Sequence, residues 1–313
     1  MPRPLSRARL MSFSVTSFLS PSTATPVAAS GGLDCSRSLS PSLSPLRRDA
    51  VRVSLRSAFS RRTHPDAAVE AAIEDVWQTY KQRSPRLFNG TKFRLHCWTL
   101  GADGLAMDWG LTDYRTYLGT CASELVTRLR DDGVALCGGD ATAFLSRKVG
   151  VSAVLETADQ RLALIERSRD VGVYQHLFDT PGGHPEPSDL GLTPDLVREL
   201  ERVERESERR RAELAARDRL FDSILDEVHE EVNLPRDAIS DPLLLGVVLQ
   251  SVAETPSFAF YMTTPHTAEQ VMAMYREGPA DQFESSQLRL IDAQDAERAV
   301  QRNALPMTAM QWR

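Results

Sequence analysis

Long apolar runs are what this chain of 313 residues lacks most plainly. The longest candidates are short segments such as Leu243 to Leu249, far below the roughly 18 residues that a membrane-spanning helix needs, so no membrane span is predicted. An excess of positive charge is lacking as well. The formal charge of -6 gives no global field for nucleic acid and excludes non-specific nucleic-acid binding. Cysteine is sparse: Cys35, Cys97, Cys121 and Cys137 form no Cys-x-x-Cys pair and meet no matching histidine spacing. That argues against a zinc site and a disulfide framework, and makes a reducing compartment the default. There is no Gly-x-x-x-x-Gly-Lys-Ser/Thr phosphate loop, Gly-x-Gly-x-x-Gly fingerprint, Gly-x-Ser-x-Gly elbow or His-Glu-x-x-His pair. The commonest ATPases, dehydrogenases, serine hydrolases and zinc proteases are thereby removed from first place. Histidines such as His96, His176, His184 and His229 are dispersed, and none is singled out by spacing.

What is present is enough for a core, since 42% of the residues are hydrophobic. Residues 1–48 stand apart: they are rich in Ser, Pro, Ala and Arg, with Asp34 as their only acidic residue. This composition fits an organelle transit peptide, plastid by its proline and serine or mitochondrial by its arginine; the alternative is a disordered tail on a cytoplasmic protein. The fold is expected to begin near Val51, with a helix over Asp66–Gln82 carrying Ala68, Ile73, Val76, Trp77 and Tyr80 on its packed face. Strands are predicted over Lys92–Leu100 and Leu105–Trp109 as a hairpin, followed by a short helix over Cys121–Arg130. A further pair is predicted over Gly150–Leu155 and Arg161–Ile165. Phe178–Pro187, FDTPGGHPEP, is expected to be neither helix nor strand, because three prolines each remove a donor. Thr193-Pro194 should open a nearly unbroken helix to Asn233. Its first part, Glu199–Arg219, reads as a solvated, self-paired face. Strands over Leu243–Leu249, Ser257–Met262 and Gln287–Ile291, a capped helix from Thr267, and a terminal helix and tail over residues 293–313 complete a mixed sheet flanked by helices.

The chemistry concentrates in Leu220–Pro235, LFDSILDEVHEEVNLP. Glu227, Glu230 and Glu231 stand at i, i+3 and i+4 and share a helix face, while Phe221, Ile224, Leu225, Val228 and Val232 form a separate apolar stripe. Like charges at this spacing repel by a few tenths of a kcal/mol per pair, so they require free solvation or a cation.

The run Asp226-Glu227-Val228-His229-Glu230-Glu231-Val232-Asn233-Leu234 resembles the second half of the Nudix box, Arg-Glu-hydrophobic-x-Glu-Glu-x-Gly-hydrophobic. Asp226 replaces the arginine, and Asn233 replaces the glycine as the next best residue for a left-handed helix end. The Gly-Gly lies far upstream, across a long helical insertion near residues 193–219. In order, FRLHCWTL, DWGLTDYRTYLGT, FDTPGGHPEP and LFDSILDEVHEEVNLP resemble the Nudix branch that hydrolyses UDP-glucose and UDP-galactose, which also lacks the arginine and also ends its box in Glu-Val-Asn-Leu-Pro.

The resemblance implies a Nudix α/β/α sandwich around a mixed sheet over residues 148–313, with an N-terminal α/β subdomain over residues 49–147. It implies Glu227 and Glu231 as ligands of Mg²⁺ (or Mn²⁺); in the reaction, Glu230 or a loop carboxylate is expected to help remove a proton from the bound water. The UDP-sugar is placed against Phe88, Tyr114, Arg167, Gly172, Asp179, His184 and Glu186, Phe88 and Tyr114 sandwiching uracil and Arg167 pairing with a phosphate. The implied reaction is Mg²⁺-dependent hydrolysis to UMP and sugar 1-phosphate. The rival readings are a Nudix hydrolase of another nucleoside diphosphate derivative, such as ADP-ribose, and a catalytically silent nucleotide-binding or scaffold protein. The oligomeric state has no sequence signal.

Overall fold

The computed structural model describes residues 13–17, 45–167, 178–250, 252–278, 285–292 and 295. Most of the address read in residues 1–48, and nearly all of the helix and tail expected over residues 293–313, lie outside them. After β1 (Phe13–Ser17), a 3-10 turn leads into β2 (Val51–Leu55), where Val51, Val53 and Leu55 face inward with the period of two that a half-buried strand requires. Helix α1 (Ala67–Arg83) starts where Asp66 accepts the Ala68 N–H at 2.9 Å. Its buried residues are Val69, Ile73 and Trp77, so Val69 rather than Ala68 opens the packed face. β3 (Thr91–Gly101) and β4 (Gly104–Asp113) form the expected hairpin. Its turn needs glycine at position 104, where φ is 102° and a side chain would strike the Ala50 backbone.

The single helix expected over Cys121–Arg130 is replaced by two, α2 (Tyr114–Thr120) and α3 (Val126–Leu136). Asp113 accepts the Thr116 N–H at 2.7 Å and starts a helix ahead of the expected one, and Ser123 Oγ accepts the Leu125 N–H at 3.2 Å where the chain restarts. β5 (Gly150–Glu156) and β6 (Arg161–Arg167) follow as expected. The proline-rich loop differs from expectation: it holds two short strands, β7 (Phe178–Asp179) and β8 (Gly182–Gly183). Proline removes only a donor. The Pro181 carbonyl accepts the Ala153 N–H at 2.7 Å, and the glycines pair with Val151 and Ser152.

The helix expected to run from Thr193 to Asn233 is also interrupted. α4 (Pro194–Leu200), capped by Thr193, ends before a 3-10 turn, and α5 (Glu206–Val232) begins afresh. Neither proline nor glycine marks the break; it coincides with a side-chain anchor, Glu201, whose carboxylate accepts from Ser57 N–H and, at 2.8 Å, from Ser57 Oγ. Part of the Glu/Arg face is self-paired, as in Arg210–Glu206 at 2.5 Å, but Glu213 turns inward to accept the Leu55 N–H at 3.1 Å and pairs with Arg56. β9 (Leu243–Gln250), β10 (Pro256–Thr263), α6 (Ala268–Arg276) with its Thr267/Gln270 capping box, and β11 (Ser285–Asp292) complete the described chain.

The strands form two sheets. A small one has the order β2-β4-β3; the large one has the order β1-β9-β10-β5-β6-β11, with β7 on β6 and β8 on β5. Because β10 and β5 run parallel and their neighbours antiparallel, the large sheet is mixed. Helix α5 touches β2 in one sheet and β5 and β8 in the other. A continuous apolar core accordingly joins Val53 and Phe93 to Val151, Phe221, Ile224 and Phe260. Each such side chain contributes about 1.5–3 kcal/mol by leaving water. Two buried arginines reinforce the seam. Arg94 donates to the carbonyls of Leu145, Phe59 and Thr142 at 2.9, 2.7 and 2.7 Å. Burial, then repulsion from Arg147, pulls its guanidinium down to about 9. Cys121 and Cys137 are free thiols.

Candidate active site

The C-terminal end of α5 divides the three glutamates that the sequence places on one face. Ile224, Val228 and Val232 are fully buried and fix the helix rotation. With that rotation Glu231 is carried inward to 3% exposure, and its Oε2 accepts the Gly182 N–H at 2.9 Å. The Glu227 carboxylate lies so close to Gly183 that a Cβ there would collide with its Cδ and both oxygens. Glu230 is exposed. The acidic and apolar faces are therefore not separate: one carboxylate is buried, one packs on a glycine and one is solvated. The helix stops at Asn233, in the left-handed region at φ 62° and ψ 31°, whose Nδ2 donates to the Met274 carbonyl at 2.6 Å.

Asp226, at the arginine position of the box, is held by Arg219 at 2.5 Å and Arg236 at 2.7 Å; Arg219 also reaches Asp189 at 2.8 Å. Although burial alone would lower it, those two aspartates hold the Arg219 guanidinium above its ordinary pKa. A guanidinium therefore does stand beside the box, supplied from two turns upstream on the same helix.

The segment following the glycines extends the site residue by residue. His184 faces Lys148 through Nε2, and Glu186 is paired with Lys92. Both lysines are buried, at 8% and 7% exposure. The Lys148 ammonium also lies 4.4 Å from the centroid of the Tyr117 ring, and Tyr117 stacks on Tyr114 with centroids 6.0 Å apart. Tyr114 opens α2 and donates its N–H to the Gly90 carbonyl at 3.0 Å. The Phe88 ring sits over the same glycine, 3.1 Å from where a Cβ would stand, yet is 71% exposed. Gly90 thus lies beside the Phe88 ring and accepts the backbone N–H of Tyr114. Asp179 is buried in β7 and accepts the Thr180 N–H at 2.9 Å. Gly172 and the side chain of Arg167 lie outside the described residues.

Lys92, Lys148, Tyr117 and Arg219 are the site-forming residues that sequence reasoning missed. Lys92 and Arg94 alternate along β3 like a solvent-facing edge, and nothing in the pattern shows that this edge is buried. Arg219 is concealed among the neighbouring Glu/Arg pairs.

Two carboxylates one helical turn apart, on a glycine cradle that a side chain would fill, form an oxygen donor set suited to a hard divalent cation. Among the described residues no group of three or more His, Cys, Asp or Glu side chains converges, so those residues form no closed protein cage. Such a carboxylate pair beside two buried lysines could serve metal-assisted hydrolysis of an anionic substrate.

No family model matches the chain. It is 36% identical over 267 residues to the uridine diphosphate glucose pyrophosphatase NUDT22 of Homo sapiens, covering 82% of each chain. The Mus musculus protein of the same name is 37% identical over 81% of this chain and 80% of its own. Nudix hydrolase 9 of Arabidopsis thaliana is 31% identical over 83% of this chain and 81% of its own. The chain belongs to the Nudix hydrolase family, whose members use a divalent metal. No described helix is long and apolar enough to cross a membrane.

Proposed function

We propose that this chain hydrolyses the diphosphate of UDP-glucose or UDP-galactose to UMP and the sugar 1-phosphate, with Mg²⁺ as the metal and Mn²⁺ as a substitute. The observation that carries the reading is the 36–37% identity, over about four fifths of both chains, to relatives named for UDP-glucose pyrophosphatase activity. The site geometry supports it, because a carboxylate pair on α5 and two buried lysines from elsewhere in the chain all contact one segment, Gly182–Glu186.

Glu227 and Glu231 would hold the ion, the latter pre-oriented by the Gly182 N–H. The ion, when bound, neutralises charge on the diphosphate and acidifies a water. Phe88 and Tyr114 take the two faces of the uracil, and His184 contacts the substrate beside the glycine cradle. Water forms a new bond to phosphorus, the bridging P–O bond breaks, and the proton of the water passes to Glu230, the solvated carboxylate of the box.

A panel of UDP-glucose, UDP-galactose, ADP-ribose and a dinucleotide, with and without Mg²⁺, tests this by released monophosphate. Turnover confined to adenine substrates overturns the substrate assignment; UDP-glucose binding without turnover at saturating Mg²⁺ marks a silent binder. Residues 1–48 are proposed as an organellar address, tested by whether a fluorescent fusion of that segment enters plastids or mitochondria.

A further inference from the structure

The segment that carries His184 and Glu186 is fastened at both ends, and its second fastening comes from the helix that bears Glu227 and Glu231. At its start, Gly182 and Gly183 pair with Ser152 and Val151 of β5, and the Gly182 N–H binds Glu231. At its end, Glu186 runs into the 3-10 turn Pro187–Leu190, whose Asp189 meets Arg219 Nε at 2.8 Å. Arg219 lies along α5. Its Nη1 donates at 2.5 Å to Asp226, seven residues onward and about 10.5 Å farther along the axis. One guanidinium therefore joins the turn behind Glu186 to the residue immediately before Glu227.

The two carboxylates on Arg219 are not equivalent. Asp226 has a second cation, Arg236 at 2.7 Å, which is itself held by the Asp222 carbonyl at 3.0 Å. For Asp189, Arg219 is the only ion-pair partner among the described residues. An isolated surface pair contributes little, but these charges form one network, and the planar guanidinium fixes the directions in which it holds both carboxylates. Without it, Asp226 would keep Arg236, while Asp189 would be left to repel Asp226. The turn would be released and the helix would stay. We propose that Arg219 is a positioning residue that sets how residues 184–186 sit against the carboxylate end of α5. The inference rests on the reading above in which that segment contacts the nucleotide-sugar. It also gives Asp226 a task, as the anchor of the fastening on the helix side.

The test is UMP release from UDP-glucose by the full chain across substrate and Mg²⁺ titrations, with amide hydrogen exchange measured on the same variants. Arg219→Met should raise KM about fivefold, while kcat and the Mg²⁺ half-saturation stay within about twofold, because the loss falls on the turn. Arg219→Lys keeps the charge without the fork and should lie between wild type and Arg219→Met. Asp189→Asn should reproduce the KM rise, and adding it to Arg219→Met should change little, since both remove one fastening. The amides of Asp189, Gly191 and Leu192, which bind the carbonyls of Glu186, Ser188 and Pro187, should exchange faster in Arg219→Met, and those of Val228 and Val232 should not. A lowered Tm with unchanged KM, an equal loss of kcat and Mg²⁺ affinity, or additive single effects overturns the proposal. If Arg219→Met does not fold, Asp189→Asn decides it by the same criteria. Absence of UDP-glucose turnover in the wild type overturns the substrate reading; exchange at the turn needs no substrate, and an unchanged rate there overturns the positioning role by itself.

Discussion

Gly183→Ala separates catalysis from folding at one position. A methyl group there would lie within 2.7 Å of all three terminal atoms of Glu227, and those atoms end a flexible side chain. Carbon contacts are comfortable at about 3.5–4 Å, so the carboxylate must swing by on the order of 1 Å. A misplacement of that size can cost about a hundredfold in rate, equivalent to about 2.7 kcal/mol of transition-state stabilisation. The fold should hardly notice, since the displaced group is one side-chain tip. Gly182→Ala provides the contrast: its methyl would strike the Val151 carbonyl, which is backbone and cannot rotate away. That variant should lose about 1–3 kcal/mol of stability and several degrees in Tm. The assay is UMP release from UDP-glucose across a Mg²⁺ titration, beside a thermal melt. Gly183→Ala should show normal melting, a raised Mg²⁺ requirement and about a hundredfold loss in kcat/KM. Adding Glu227→Gln to it should cost little more, because both changes remove one function. Full activity in a folded Gly183→Ala would show that Glu227 does not act from this position.

Three further outcomes are expected. Glu231→Gln should abolish metal-dependent turnover while keeping the Gly182 hydrogen bond, whereas Glu230→Gln should lower kcat about a hundredfold without changing the Mg²⁺ half-saturation, the signature of a lost proton acceptor. A parallel response of both to Mg²⁺ would refute that division. Asn233→Ala should cost about 1–2 kcal/mol by adding strain at φ 62° and removing the bond to Met274, and Asn233→Gly less, as read by denaturant melts. Burial pushes the Glu70 carboxyl up, but Arg61 at 2.5 Å and the His64 N–H at 2.6 Å hold it below the ordinary range; burial likewise acts on Asp140, which the Thr142 hydroxyl and N–H hold low. Depressed folded values mean that stability from these groups is present above about pH 4–5 and is lost as pH falls through them. Glu70→Gln with Asp140→Asn should flatten the acid limb of Tm against pH, and an unchanged slope would refute the assignment.

Legibility in the sequence followed the range of the forces involved. Asp66, Thr193, Thr267 and Asn233 act within a few residues, and the ends they mark are where the pattern puts them. The early start of α2 carries the same kind of local signal in Asp113, which accepts the Thr116 N–H. The break before Glu206 had no local signal, since it coincides with Glu201 bonding to Ser57, a partner 144 positions away. The same distinction runs through the site. Glu227, Glu230 and Glu231 stand out by spacing, but which is buried is decided by packing against Gly182 and Gly183 from another part of the chain. Lys92 and Lys148 are buried only by contacts with distant parts of the chain, which no local pattern encodes.

Helix α5 has one consequence for how such a chain can be divided. Its last two turns carry Glu227 and Glu231, while Glu213, about two turns from its start, holds the end of β2. A fragment starting at residue 148 would keep every residue of the box and lose the sheet against which the helix is braced. The apolar flank that faces Val51, Val53 and Leu55 would be left to water, and the carboxylates would ride on a lever without its fulcrum. A graft of the box onto another scaffold would therefore have to bring β2 along.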